Sequence, residues 1–186
     1  MTNPSSGVEE IVTENHPLAP HTWYKIGGPA RWFLRPRNVE ELQEASKRCI
    51  ENNIPIYVLG LGANLLVGDG GVDGAVFRLD AEHWRRIRFD KNILEAGAGV
   101  DMQKLILRTV RQGLAGIESL AGIPGTIGGG VRMNAGGKYG DIGAIITRVQ
   151  VMDVTGMVLV KCMSRPSQAP YSMSATMIAN SRPAIT

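Results

Sequence analysis

The chain has 186 residues, a net charge of +3 at neutral pH, 44% hydrophobic residues and a mean hydropathy of −0.03. That is enough chain for one large domain or two small subdomains around a real core, and the charge is too small to argue for nucleic acid. The first fourteen residues are polar and acidic with no apolar stretch, so no signal peptide is expected; no run approaches membrane-spanning length, and a cytoplasmic protein is expected.

In chain order, residues 1–15 read as a disordered lead-in, with Pro4-Ser5-Ser6-Gly7 near its start. His16-Pro17-Leu18-Ala19-Pro20 is held extended by its prolines and leads through Trp23 and Tyr24 to an Ile26-Gly27-Gly28 turn. Trp23 and Tyr24 suit core packing at least as well as ligand contact. Residues 31–35 read as a strand. Asn38 then caps a helix, with Glu41 three residues on as in a capping box, and Val39, Leu42, Ala45, Cys49 and Ile50 form its buried stripe. Residues 56–59 make the next strand, and residues 74–79 another after the Gly68-Asp69-Gly70-Gly71 turn. This β-α-β-β block is the first subdomain, residues 16–80.

The second subdomain, residues 81–160, opens with a hairpin of residues 85–89 and 93–96 around Asp90-Lys91-Asn92, whose Arg85, Arg86 and Arg88 read as a solvated face. Asp101 caps a second helix with a stripe of Met102, Leu105, Ile106 and Val110, ended by Gly113. A long glycine-rich stretch follows, residues 116–137. Residues 145–153 and 157–160 then read as two strands around Thr155-Gly156. Residues 161–186 form an atypical tail: no acidic residue, no clear period, rich in Ser, Met, Ala and Pro. It reads as disordered or as the product of a frame shift.

Two glycine loops carry the chemistry. Of 23 glycines, 18 fall between Gly60 and Gly140, which suits a ligand with a long phosphate spine. The first loop, Leu59-Gly60-Leu61-Gly62-Ala63-Asn64-Leu65-Leu66, follows the apolar run Ile56-Tyr57-Val58. It departs from a Rossmann fingerprint because Leu65 stands where a third glycine is needed. The second contains Gly122-Ile123-Pro124-Gly125-Thr126-Ile127-Gly128-Gly129, and from Val131 onward it can open a helical turn beside an anion. Neither is a P-loop, since Gly137-Lys138 is followed by Tyr139. A tight buried crossover explains the glycines alone about as well. Cys49 and Cys162 have no metal-ligand spacing and read as reduced thiols. His16, His21 and His83 form no triad or metal set, and Lys138 and Tyr139 stand where a substrate-facing loop could begin.

Ile26-Gly27-Gly28-Pro29-Ala30, the first glycine loop and the second glycine loop, in this order, resemble UDP-N-acetylenolpyruvoylglucosamine reductases, over about residues 16–160. The resemblance implies an α+β, two-subdomain FAD-binding fold of the vanillyl-alcohol-oxidase type, here without the family's C-terminal substrate domain. It implies FAD as cofactor and NADPH as hydride donor, with a UDP-sugar substrate reduced to UDP-N-acetylmuramate for peptidoglycan. No nucleic-acid, membrane or metal partner and a monomeric state are expected. It places Ile26, Gly27, Gly28, Gly60, Gly62, Ala63, Asn64, Ile123, Pro124, Gly125, Thr126, Ile127, Gly128, Asn134 and Gly136 at the cofactor. Departures are His21 for the usual Asn before Thr22, and Ala63 for the usual Ser. The family's catalytic Arg, Ser and Glu have no counterpart, Tyr171-Ser172 standing where Tyr-Arg is expected, so no catalytic residue is assigned. Two further readings stay open: a non-catalytic FAD-binding fragment, and an FAD oxidoreductase of the wider superfamily with another substrate.

Overall fold

In the computed structural model the described residues are 9–91, 93–153, 156–162 and 172–178, with side chains described up to residue 159. The chain divides into two compact units. Residues 9–81 fall in the first with 152, 153, 156, 157 and 178; the rest of the described residues form the second.

The first unit is built on a four-stranded sheet. Its strands are β1 (Val12–Pro17), β2 (Pro29–Leu34), β3 (Ile56–Val58) and β4 (Val72–Phe77), in the spatial order β1-β2-β4-β3. β1 runs antiparallel to β2, while β4 is parallel to both β2 and β3. The expectation of a lead-in without structure up to residue 15 is corrected over residues 9–15: a short 3₁₀ turn, Glu9–Ile11, enters β1, and Ile11 is buried. β1 escaped notice because it is a polar edge strand whose backbone ladder, rather than any apolar alternation, holds it.

Helix α1 (Val39–Glu51) starts where expected, Asn38 Oδ1 accepting from the Glu41 amide at 2.8 Å. The reciprocal half of the capping box is displaced by one residue. The Glu41 carboxylate reaches back to the Arg37 amide at 2.7 Å and to its guanidinium, and these bonds hold the carboxyl below its ordinary range. The buried stripe is Leu42, Ala45, Ser46 and Cys49; Ile50, expected inside, is exposed. Burial pushes the Cys49 thiol up to about 12, so at neutral pH it behaves as a small core hydrophobe.

The core under the sheet joins Leu18, Ala30, Phe33, Leu59, Val67, Val72 and Val76, with Tyr57 and Leu65 packed against it. Leu59 and Val67 therefore pin the first glycine loop at both ends. Burying such side chains stabilises by roughly 1.5–3 kcal/mol each, which fixes the loop's base while leaving its crest to other contacts.

The second unit contains the hairpin β5 (Ile87–Asp90) and β6 (Ile93–Ala96), in the register Ile87↔Ala96 to Asp90↔Ile93. Helix α2 (Met102–Arg111) follows, Asp101 accepting from the Lys104 amide at 3.0 Å. Its buried stripe is Met102, Leu105, Ile106 and Thr109. Val110 is exposed instead of inside, and the polar Thr109 is hidden because its hydroxyl donates to Ile106 O at 2.7 Å. Helix α3 (Ile127–Met133) takes in the glycines themselves, starting four residues earlier than the sequence pattern predicts.

The two-residue strands β7 (Gly136–Gly137) and β8 (Gly140–Asp141) pair antiparallel. The remaining strands are β9 (Ile146–Met152), β10 (Val158–Cys162) and β11 (Ser172–Ile178). They complete a five-stranded sheet of order β10-β9-β11-β6-β5, with β11 parallel to β6 from Ser172↔Ile93 to Ala175↔Ala96. No element was expected at β11, although Ser172, Ser174 and Thr176 alternate with Met173, Ala175 and Met177 in the period of two that marks a strand. Residues 163–171, Tyr171 among them, and 179–186 lie outside the described residues.

Candidate functional site

The first unit offers a backbone cradle. None of the amides of residues 60–67 makes a hydrogen bond with a described residue. Successive uncommitted N–H groups in a glycine turn form a concavity suited to an anion. The floor of this loop is the segment of residues 21–23. Gly62 has φ +65, and an added Cβ there would overlap the His21 carbonyl oxygen and lie 2.8 Å from Thr22 Cα. Only glycine fits that contact. The Trp23 amide in turn donates to Gly62 O at 3.0 Å. Thr22 is buried, its hydroxyl within hydrogen-bond distance of Ala19 O (3.1 Å) and Ile26 O (3.0 Å).

Gly60, Gly62, Ala63 and Asn64 all lie on this loop, and the Asn64 carboxamide has no partner among the described residues. Ile26, Gly27 and Gly28 stand beside its exit: the Gly28 amide donates to Gly68 O at 2.9 Å, and Gly27 packs on Val67. Trp23 and Tyr24, for which core packing and ligand contact were both open, are 62% and 63% exposed and so do not pack in the core. With Ile26, Leu61 and Leu66 they are exposed apolar residues close in sequence to the turn and the loop.

The rings behind this floor were not recognised from the sequence. His16, His21 and Phe33 stack with ring centroids 4.3–5.1 Å apart and interplanar angles of 10–17°. His16 Nε2 and His21 Nε2 are 2.8 Å apart, and Arg78 donates to His21 Nδ1. Arg78 is paired with Asp80 at 3.1 Å, and Asp80 also takes two 2.9 Å bonds from Arg35. Burial, then Arg78 and His16, lower the His21 pKa to about 4, against a smaller opposing effect of Asp80. Burial and the two arginines lower His16 as well.

The second unit carries the other loop, and its geometry corrects the expectation of an anion at the opening of a helix. The α3 amides are spent inside the protein. Ile127 N donates to Val100 O (2.8 Å), Gly128 N to Ala98 O (2.9 Å), Gly129 N to Thr126 Oγ1 (3.2 Å) and Gly130 N to Thr126 O (2.8 Å). Close packing explains the glycine at 128, where an added Cβ would lie 2.9 Å from the Ala98 Cβ. Ile127 is wholly buried and contributes packing. The groups still on offer are the amides of Gly125 and Thr126, which have no partner among the described residues, and the Thr126 hydroxyl proton, next to exposed Pro124.

One side chain braces this loop. Gln103, on α2, donates to Ile123 O at 2.8 Å and to Leu120 O at 3.5 Å, and accepts from the Gly122 amide at 3.2 Å. Asn134 and Gly136 play local parts. Asn134 ends α3 in the left-handed conformation (φ 45) and accepts from the Gly143 amide at 3.1 Å, while Gly136 pairs with Asp141. Tyr139 is largely exposed at an open cleft of about 470 Å³ lined also by Glu118, Ser119 and Asp141. Among the described residues there is no group of His, Cys, Asp and Glu able to hold a metal, and no helix long and apolar enough to cross a membrane.

A glycine turn of uncommitted amides that follows a strand of a small mixed sheet suits the phosphates of a nucleotide cofactor. The chain belongs to the FAD binding domain family, which matches residues 30–161. Its relatives are more particular. It is 39% identical over 151 residues, 81% of this chain and 49% of the relative, to a UDP-N-acetylenolpyruvoylglucosamine reductase of Moorella thermoacetica. It is also similar to the crystal structure of the same reductase from Thermus caldophilus, at 36% identity and a TM-score of 0.66, over 78% of this chain and 50% of that one. A vanillyl-alcohol-oxidase-type flavoprotein of Myceliophthora thermophila shares the fold at 19% identity and a TM-score of 0.58, over 75% of this chain and 27% of that one. The chain spans about half the length of the curated relatives it matches.

Proposed function

We propose that this chain is the FAD-holding part of an NADPH-dependent reductase that converts a UDP-N-acetylglucosamine enolpyruvate to UDP-N-acetylmuramate. The observation that carries the proposal is the run of uncommitted amides at residues 60–67, which matches the doubly charged pyrophosphate of FAD. The relatives' names supply the reductase class and the UDP-N-acetylenolpyruvoylglucosamine substrate, and NADPH as donor follows from the family resemblance.

Bound FAD supplies a centre that accepts and gives hydride. The chain's own residues position it. Amides on the loop of Gly60, Gly62, Ala63 and Asn64 neutralise the pyrophosphate, with Ile26, Gly27 and Gly28 closing the loop's exit. In the other unit, the Gly125 and Thr126 amides and the Thr126 hydroxyl proton are donors without a partner among the described residues, and the family resemblance names both residues as cofactor-binding. Ile123, Pro124, Ile127 and Gly128 set the course of that loop, and Asn134 and Gly136 shape the turn that follows α3. Ala63 has no hydroxyl to give, a loss on the order of 1 kcal/mol relative to a serine there.

The test is an absorbance spectrum of the purified chain with FAD, then with NADPH, then with the enolpyruvyl sugar, under anaerobic conditions. A bound-flavin spectrum that bleaches with NADPH and recovers with the sugar supports the full reaction. Bound flavin that never recovers assigns this chain to cofactor binding alone. A chain that shifts no flavin spectrum overturns the proposal.

A further inference from the structure

We propose that His21 is a positioning residue for the loop of residues 60–67, holding the backbone floor on which its amides are set. The inference rests on that loop being the cradle for the FAD pyrophosphate, and it goes further by naming what keeps the cradle in shape.

Two sets of contacts meet at His21. Its backbone lies against Gly62, and its neighbour Trp23 donates to Gly62 O at 3.0 Å. Its ring is locked from behind. Phe33, itself 1% exposed, stacks on it at 5.1 Å and 10°, and Arg78 donates to Nδ1. An arginine has no acceptor, so Nδ1 carries the lone pair and Nε2 carries the proton. Nε2 therefore donates to His16 Nε2 across 2.8 Å, which puts the His16 proton on Nδ1. Arg78 is fixed by Asp80, and Asp80 by Arg35. The charged and titratable groups around the ring are thus His16 from β1, Arg35 just past β2, and Arg78 and Asp80 just past β4.

This arrangement works only with a neutral ring. A second proton on His21 must go on Nδ1, where it removes the acceptor for Arg78 and faces a like charge. Burial and these neighbours keep the ring neutral down to about pH 4. Above that pH the floor under Gly62 is held; below it, Arg78 and the protonated ring repel and the floor loosens. The same backbone segment with an untitratable acceptor at the Nδ1 position keeps the lock without the acid release. Asn supplies one, since its Oδ1 is as many bonds from Cα as the histidine Nδ1.

The experiment measures FAD affinity of the 186-residue chain by flavin fluorescence, from about pH 8 to about pH 3.5. It compares the natural chain with His21→Asn and His21→Leu, each also melted without FAD. The natural chain is expected to bind with constant affinity above about pH 5 and to lose affinity with an apparent pKa of about 4. His21→Asn is expected to bind within about threefold at neutral pH and to lack that acid limb. His21→Leu, which leaves Arg78 facing an apolar group, is expected to bind about tenfold more weakly at neutral pH. Unchanged affinity in a folded His21→Leu overturns the inference, as does an acid limb that persists unaltered in His21→Asn. If His21→Leu does not fold, the pH profile of His21→Asn decides alone. A natural chain that takes up no FAD at any pH overturns the cradle reading and the inference together.

Discussion

Single contacts, more than composition, decide what the glycines are for. At Gly62 the φ of +65 and the overlap of any Cβ with the His21 carbonyl act together. Gly62→Ala is expected to cost about 1–3 kcal/mol of stability, as overpacking against backbone does, and to weaken FAD binding, because the loop must lift off its floor. Thermal unfolding and flavin titration of the variant check both. The position of the first loop was legible because Gly-x-Gly-x-Asn after an apolar run is a local signal. His21 as a structural partner was not, since His16, Phe33, Arg78 and Asp80 are far apart in the chain and meet only through the sheet. Thr126 combines two capacities: its hydroxyl oxygen caps α3 by accepting from the Gly129 amide, and it keeps a proton to give.

At the scale of elements, the caps were the dependable part. Asn38 and Asp101 announce α1 and α2 because each puts a short acceptor three residues before an amide that needs one. The stripes were read one residue too apolar, since Ser46 and Thr109 are buried where Ile50 and Val110 were expected. α3 was hidden by its own glycines, which are poor helix formers chosen for proximity to Ala98 and Met102 rather than for propensity. The loop before α3 depends on α2 through Gln103. Gln103→Leu leaves the Gly122 amide and the Ile123 carbonyl without that partner. It is expected to lower stability by about 1–2 kcal/mol in urea unfolding and to raise the dissociation constant for FAD, whereas exposed α2 substitutions such as Lys104→Gln change neither.

For the whole molecule, ligand linkage offers the clearest readout. FAD at about a hundredfold over its dissociation constant is expected to add about 2.7 kcal/mol to unfolding, seen as a rise in melting temperature. FMN and riboflavin, which lack the pyrophosphate, are expected to stabilise far less at equal concentration; an equal rise with riboflavin would remove the loop of residues 60–67 from the account. The order of assembly follows from where β11 sits. Ser172–Ile178, late in the chain, lies between β9 and β6 at the middle of its sheet, so β10-β9 and β6-β5 have no strand partner joining them until it arrives. During synthesis the ribosome releases both halves of that sheet before their keystone, and each waits with an open edge. A nascent chain stalled before residue 172 is therefore expected to expose both of those edges, and β11 is the strand that joins the two halves.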